Sequence, residues 1–509
     1  MNTASLGIII AIIVYLAMMI YIGFYFSKKS DSSAEGFYLG GRQMGPLVTA
    51  MSAEASDMSG WLLMGLPGVA YLSGIADAAW TAIGLGVGTW LNWLIVARRL
   101  RRYSIACGSI TIPEFFSRRY RDNRNILMCI AAVIILIFFV PYTASGFKAI
   151  GTLFSSLFQV DYHMAMILGA IVVVGYTILG GFMAVSTTDL IQSIVMTIAL
   201  VVIVFFGLNH AGGLDAVMDN AHSLAGYLSM TSLHDRASGA ATAYGPITIL
   251  STAAWGLGYF GMPHILLRFM AIREEKELVL SRRIGTIWVL ISMSVAIFIG
   301  IIGYGASVAG AIPLFTTSAE SETVIIQFAG LLSRYNLFAA IIAGVVLAGI
   351  LACTMSTADS QLLTAASGVS QNLLQDFLGM KLDARSSMRA ARLTIAAIAA
   401  IGVVLAWNPD SSVFTIVSFA WAGFGASFGP VMLFALFWKR SNFQGALAGM
   451  ISGGVMVFVW KYLVRPLGGA WNIYELLPAF LAASAAIVIV SLATAPPSQE
   501  IVREFDSIG

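Results

Sequence analysis

The chain has 509 residues, of which 59% are hydrophobic and 10% charged, and its formal net charge is +3. Soluble domains average ~45–50% apolar and ~25% charged residues, and one folded core cannot absorb the excess within its surface-to-volume limit. That composition excludes an ordinary soluble domain, gives no reason to expect a nucleic-acid partner, and fits the lipid bilayer as solvent.

A spanning helix needs about 20 mostly apolar residues. Thirteen stretches qualify: 4–27, 46–73, 78–97, 125–155, 163–181, 186–209, 243–262, 284–309, 337–360, 390–407, 413–437, 444–463 and 474–494. The first apolar run, Leu6 to Phe26, is followed and not preceded by its basic residues, Lys28 and Lys29, so it reads as a membrane helix and not as a cleavable signal. An odd number of spans puts the termini on opposite sides. Loops 28–45, 98–124, 182–185, 263–283, 361–389 and 438–443, with the C-terminal tail and Arg392, hold 23 of the 28 Lys and Arg residues. Basic loops stay in the cytoplasm, so the N-terminus is expected outside and the C-terminus inside, in the cell's inner (plasma) membrane. Between spans 8 and 9, Glu322 to Arg334 has helical periodicity and predicts either a helix along the membrane surface or a cap over the bundle. Cys107, Cys129 and Cys353 show no metal-type spacing and read as ordinary small residues.

Spans 2 and 7 differ from the rest. Span 2 contains Gly60, Gly65, Pro67 and Gly68 beside Glu54 and Asp57, and span 7 contains Gly256, Gly258, Gly261 and Pro263. In hydrocarbon each unpaired backbone group costs several kcal/mol, so a helix breaks only where something else satisfies it. Matched interruptions five spans apart point to a transport site between two inverted repeats, spans 2–6 (46–209) and 7–11 (243–437). Span 1 (4–27) and spans 12–13 (444–494) are then peripheral parts of one transmembrane domain.

Several of these segments carry a resemblance. SDMSGWLLMGLPG, GGFMAVSTTDLIQ, WGLGYFGMPHILLRFM, MSTADSQLL and AWAGFGASFGP, with GALAGM, resemble the sodium:solute symporter family in order and over nearly the whole chain, and most of all its proline-carrying branch. The resemblance implies an all-α LeuT-type fold of 5+5 inverted repeats, alternating access, sodium as the coupling ion and L-proline or a related amino acid as the solute. No enzyme activity and no obligate protein partner are expected. It also implies sodium ligands: the carbonyls of Ala55 and Met58 in span 2, and the carbonyl of Cys353 with the hydroxyls of Ser356 and Thr357 in span 9. Oxygen ligands suit a hard cation, and the i, i+3 spacing of Cys353 and Ser356 turns both the same way.

Three acids accompany that set. An ionised carboxylate at membrane depth costs at least ~2.5–3.5 kcal/mol, so Asp57 is expected to face a cavity or cation, capturing sodium or holding the unwound segment. Asp189 is expected to N-cap span 6, or, as the resemblance implies, to line the inward sodium path, where Asp359 and Ser360 would join it in a second cation site of the kind some members of that family have. Glu54 departs from the small residue expected there. It would pair with a basic group, stay protonated or sense protons. For the solute, the half-helix end around Ser59 and Gly60 is expected to receive the carboxylate, and the resemblance implies that Trp61, Tyr142, Trp255 and Tyr259, whose faces suit a ring and a cation, line the substrate region. Gly256 would leave room for the ring, and Pro263 would fix the turn.

The alternatives are the same machine with another small solute (amino acid, sugar or carboxylate) and a ligand-sensing membrane protein. The short tail, with no signalling domain after span 13, argues against the sensor. Five histidines without metal spacing argue against a membrane enzyme.

Overall fold

The computed structural model of the protein describes residues 3–27 and 34–508. Lys28 and Lys29, used in orienting the chain, lie outside the described residues. Helix α1 (Thr3–Ser27) is uniformly apolar, as lipid-facing helices are. After α2 (Ala34–Leu39), α3 (Pro46–Asp57) starts at a proline, where a missing N–H is harmless. It stops at Asp57. Met58 and Ser59 leave the helical path, and helix resumes as a wide turn over Trp61–Gly65 and then α4 (Leu66–Ser73).

The third span is longer than 78–97. α5 (Ile75–Leu91) passes through a wide turn, Asn92–Val96, into α6 (Ala97–Ala106), so the arginines beyond Val96 are helical. An amphipathic α7 (Ile112–Arg119), N-capped by Thr111, leads to α8 (Ile126–Phe158). Spans 5 and 6 form one element, α9 (Tyr162–His210), bent at Gly181 with φ 63° and ψ −179°, a conformation open to glycine. The expected loop 182–185 is therefore helix, because one glycine makes the bend.

α10 (Gly213–His222) and a small hairpin, β1 (Ser232–His234) with β2 (Ala241–Ala243), precede the second interrupted span. There α11 (Pro246–Ala253), a 3₁₀ stretch Ala254–Gly261 and α12 (Pro263–Ala271) follow in line. The expected end at 262 is corrected to 271, and Arg268 belongs to a buried helix instead of a loop. α13 (Leu278–Val308) is followed by α14 (Ser318–Ser321) and α15 (Val324–Leu332). α15 buries Val324, Ile325, Phe328 and Ala329, so of the two readings of this segment it takes the cap. Just before it, the Glu322 carboxylate accepts from Ser412 Oγ (2.8 Å) and the backbone N–H groups of Val413 (3.1 Å) and Phe414 (3.2 Å).

α16 (Leu337–Ser367) continues as a wide-turned helix over Gly368–Phe377. α17 (Ala384–Leu405), α18 (Val413–Phe437), α19 (Phe443–Val459) and α20 (Leu476–Ala493) complete the bundle. A tail helix, α21 (Gln499–Ile508), turns Ile501, Phe505 and Ile508 inward and pairs Glu500 and Glu504 with Arg121. Among the described residues ten helices are long and apolar enough to cross a membrane, and Trp61–Ser73 and Tyr162–Gly175 are shorter apolar helices. The protein is thus a mostly helical, multi-pass membrane protein. Buried share locates its centre: 83% for α18 and 72% for α16, against 28% for α17 and α19.

Candidate functional site

The end of α3 meets the middle of α16. Ser356 Oγ lies 2.7 Å from the Ala55 carbonyl oxygen and 3.2 Å from that of Cys353, and Thr357 Oγ1 lies 3.2 Å from the same Cys353 oxygen. Four of the five expected sodium ligands are thereby in one oxygen-rich contact between two helices. Met58, the fifth, is buried at the break; its N–H makes the last helical bond of α3, to the Glu54 carbonyl (2.9 Å), and the helix stops where Ser59 N–H turns back to Asp57 O (2.9 Å).

The next carbonyl is more heavily used. Asp57 O accepts from Ser59 N–H (2.9 Å), Trp61 Nε1 (3.2 Å) and Tyr142 OH (3.3 Å). An acceptor released by the break is thus satisfied from three directions. The Asp57 side chain reaches the second interrupted span, where Tyr259 OH donates to Oδ2 at 2.5 Å. Its Oδ1, Ser59 Oγ and Thr354 Oγ1 are buried and have no hydrogen-bond partner among the described residues. Thr354 was not foreseen. Its hydroxyl would lie 3.6 Å from a Cβ built on Gly60, so it faces the break. The signal was its place between Cys353 and Ser356 in a run of small polar residues.

The aromatic residues converge. The Trp61 and Trp255 rings are 6.5 Å apart, and Trp61, Tyr142 and Tyr259 are fully buried. Trp255 stacks on Tyr474 at 5.0 Å, and its carbonyl accepts from Trp421 Nε1 (2.8 Å). Gly256 is placed differently from expectation. A Cβ there would fall 2.1 Å from Gly84 O, so its bare face accommodates α5 and leaves no space for a ring. Pro263 is the buried first residue of α12.

Deeper along α3 and α16 lies a charged node. Asp189 Oδ2 accepts from Ser52 Oγ (2.6 Å) and Arg268 Nη2 (3.2 Å), while Arg268 also donates to Ser360 Oγ (2.6 Å), itself 3.3 Å from Asp359 Oδ1. Arg268 and Asp189 are 1% and 0% exposed, a pairing in which removal of either partner strands the other charge. Asp189 stands inside the second half of α9, so the N-cap role is corrected. Glu54 turns away from this node, accepting from Trp93 Nε1 (2.8 Å) and Thr89 Oγ1 (3.1 Å). Of the readings offered for it, pairing with a basic group finds no such group among the described residues.

Two interrupted spans joined through a buried acid, with a hydroxyl–carbonyl cluster where a third helix crosses, define the class: a broken-helix, ion-coupled membrane transporter. The sequence profile of the sodium:solute symporter family matches residues 37–453. The sodium/proline symporter of Haemophilus influenzae is 41% identical over 506 residues, 98% of this chain and 97% of that one. The osmoregulated proline transporter OpuE of Bacillus subtilis is 40% identical over 502 residues, 98% of each. In structure, a Na+-coupled sialic acid symporter in a substrate-bound outward-open state superposes with a TM-score of 0.76 at 18% identity, over 97% of this chain and 99% of that one. A nucleobase-cation-symport-1 family transporter in a closed conformation gives 0.54 at 13% identity, over 92% of this chain and 98% of that one. The chain belongs to the sodium:solute symporter family, and sodium is its coupling ion.

Proposed function

We propose that the protein carries L-proline into the cell with sodium by alternating access. Near-full-length identity of about 40% to proline symporters supports the solute assignment. Ten long spans, the two interrupted spans and Tyr162–Gly175 together make thirteen. Residues 46–209 and 243–437 are the inverted five-span repeats of a LeuT-type core, with 4–27 and 444–494 peripheral. The N-terminus is outside and the C-terminus in the cytoplasm of the plasma membrane.

The observation that carries the mechanism is the position of Ser356 Oγ between the carbonyls of Ala55 and Cys353. There hydroxyl protons are the positive partners of the carbonyls. Sodium supplies a stronger one, drawing the oxygens of Ala55, Met58, Cys353, Ser356 and Thr357 inward. That fixes the break, and so fixes Ser59 and Gly60, where the buried hydroxyl of Ser59, unpartnered among the described residues, receives the proline carboxylate beside Thr354. The ring and ammonium lie among Trp61, Tyr142, Trp255 and Tyr259, with Gly256 and Pro263 holding the second break in place behind them. Asp57 links the breaks through Tyr259, so that setting one sets the other. Release to the cytoplasm passes Asp189 and Asp359, where Arg268 must yield its contacts.

The energetics suffice. A tenfold sodium gradient is worth about 1.4 kcal/mol and a potential of ~100 mV adds about 2.3 kcal/mol per charge. Together they support roughly 500-fold accumulation of a neutral solute at one sodium each. Labelled proline uptake into proteoliposomes tests the reading. An inward sodium gradient should drive accumulation, and uptake indifferent to sodium would refute it.

A further inference from the structure

Two cavities lie end to end where α1, α8 and α9 meet, and Phe158 lines both. The first, about 370 Å³, is walled among the described residues by apolar side chains and Gly169. Along α9 it runs from Met164 to Val173, about 14 Å at 1.5 Å per residue, which is roughly half of the ~30 Å hydrocarbon core and so the depth of one leaflet. Met164, Leu168 and Val172 are exposed, so this groove opens sideways to the membrane. The second cavity, about 670 Å³, is polar, with Ser156, Gln159, Gln327 and Arg334 in its lining. Arg334 is the one charged group among the described lining residues, and no hydrogen bond or ion pair among the described residues engages its guanidinium. Asp161, two residues after Gln159, caps α9 by accepting from Met164 N–H at 2.9 Å. Tyr335 and Phe338 follow Arg334, are exposed, and mark the level at which water meets hydrocarbon. A free cation at headgroup level, above an apolar groove one leaflet deep, matches an amphipathic anion.

We propose that the two cavities form one binding site for an anionic glycerophospholipid, with its phosphate on Arg334 and one acyl chain laid in the groove along α9. The orientation proposed above makes this a lipid of the outer leaflet. A guanidinium meets a phosphate through two parallel N–H bonds, and the chain covers apolar surface that the groove leaves open. At its inner end the groove reaches Leu351 and Met355 of α16, and Met355 Sδ accepts from Tyr15 OH of α1 at 3.8 Å. The chain therefore braces α1 and α9 against the helix that carries Cys353 and Ser356.

Phosphatidylglycerol with a photoreactive diazirine near the end of one chain tests this on the full-length protein in nanodiscs, with labelled peptides mapped by mass spectrometry. Labelling should concentrate near Val172 of α9 and Leu16 of α1, and should exceed that from phosphatidylcholine of the same chains at least fivefold at equal mole fraction. Arg334→Gln should erase that excess and Arg334→Lys keep most of it. The side chain is exposed and unpaired among the described residues, so both variants should fold, which thermal unfolding reports. Val172→Trp fills the groove from its lipid side and should lower labelling there by both lipids. Glycerol 3-phosphate, a headgroup without chains, should not compete at millimolar concentration. Labelling spread evenly over the lipid-facing helices, equal for the two headgroups or untouched by Arg334→Gln would overturn the proposal. So would full competition by glycerol 3-phosphate, which would make the polar cavity a site for a soluble anion.

Discussion

The two interrupted spans are built from opposite materials. At Met58–Ser59 the backbone turns aside for two residues and is surrounded by polar atoms, some of them unpartnered. From Ala254 to Gly261 it tightens into 3₁₀ helix, and its glycines are filled by neighbours: a Cβ on Gly258 would fall 1.9 Å from Trp421 Nε1, and one on Gly261 2.3 Å from Phe424 O. At Gly60 the nearest atom to a Cβ would be the Ala149 methyl at 3.1 Å. Glycine therefore means different things in the two places. In the second break it admits other helices, and in the first its neighbours are side chains, including the Thr354 hydroxyl, which has no partner among the described residues. A broken helix is not by itself a site. The site is where the break leaves polar groups unpaid.

The largest effect should separate the two directly. Gly258→Ala forces Trp421 aside and strands its buried N–H, at about 3 kcal/mol from overpacking and the lost bond together. Little folded protein should reach the membrane, which size-exclusion profiles of detergent extracts would show. Gly60→Ala needs only a few tenths of an ångström from a methyl group, so it should fold, and its cost should appear as a raised KM for proline. Equal folding losses in both would erase the distinction.

The first break is also expected to be the sodium-sensitive one. Ser356→Ala with Thr357→Ala removes two proposed sodium ligands whose hydrogen bonds among the described residues go to the carbonyls of Ala55 and Cys353. At about 1.5 kcal/mol per charge-assisted contact, the half-saturating sodium concentration should rise roughly 100-fold with thermal stability nearly unchanged. Sodium titration of uptake measures it, and an unchanged midpoint would remove these hydroxyls from the site. Tyr259→Phe cuts the link between the breaks and leaves neither Asp57 oxygen partnered among the described residues. One hydrogen bond to a charged group, ~1.5 kcal/mol, predicts about a tenfold loss in kcat/KM. Combined with Asp57→Asn the losses should fall well short of additive, because both changes break one contact.

Much of this arrangement was legible in the chain. α1, α8 and α18 are long apolar runs with clear ends, and the first break announced itself by Gly60 and Pro67 beside two acids. The end of the second interrupted span was not legible, because His264 and Arg268 interrupt its hydropathy, and only the fold shows that Asp189 pairs with that arginine and that Ser52 accepts from it. The tail helix α21 was missed for a related reason. Its apolar residues recur at helical spacing, but a window tuned to spanning segments averages them with charged neighbours. Among the proposed site residues, Ser356 and Thr357 came from the resemblance of MSTADSQLL, and the fold sets both hydroxyls against the Cys353 carbonyl. The misassignment of Gly256 came from treating bare space as solute space, when which helix fills it is a tertiary fact.

Thr354 gives the smallest effect and the sharpest test of that lesson. Its hydroxyl is buried, faces Gly60 and lacks a partner among the described residues, so in the solute-free protein it carries an unsatisfied polar group. Thr354→Val keeps the shape and removes that group. If the hydroxyl merely fills a corner of the core, the valine protein should be slightly more stable and transport as before. If it bonds the proline carboxylate, the same gain in thermal stability should come with about a fivefold rise in KM, the ~1 kcal/mol of one hydrogen bond, at an unchanged sodium midpoint. Stability and affinity moving in opposite directions is the signature of a polar atom kept for a ligand, and a Thr354→Val protein in which neither moves would mean that the first break, like the second, is only packing at this position.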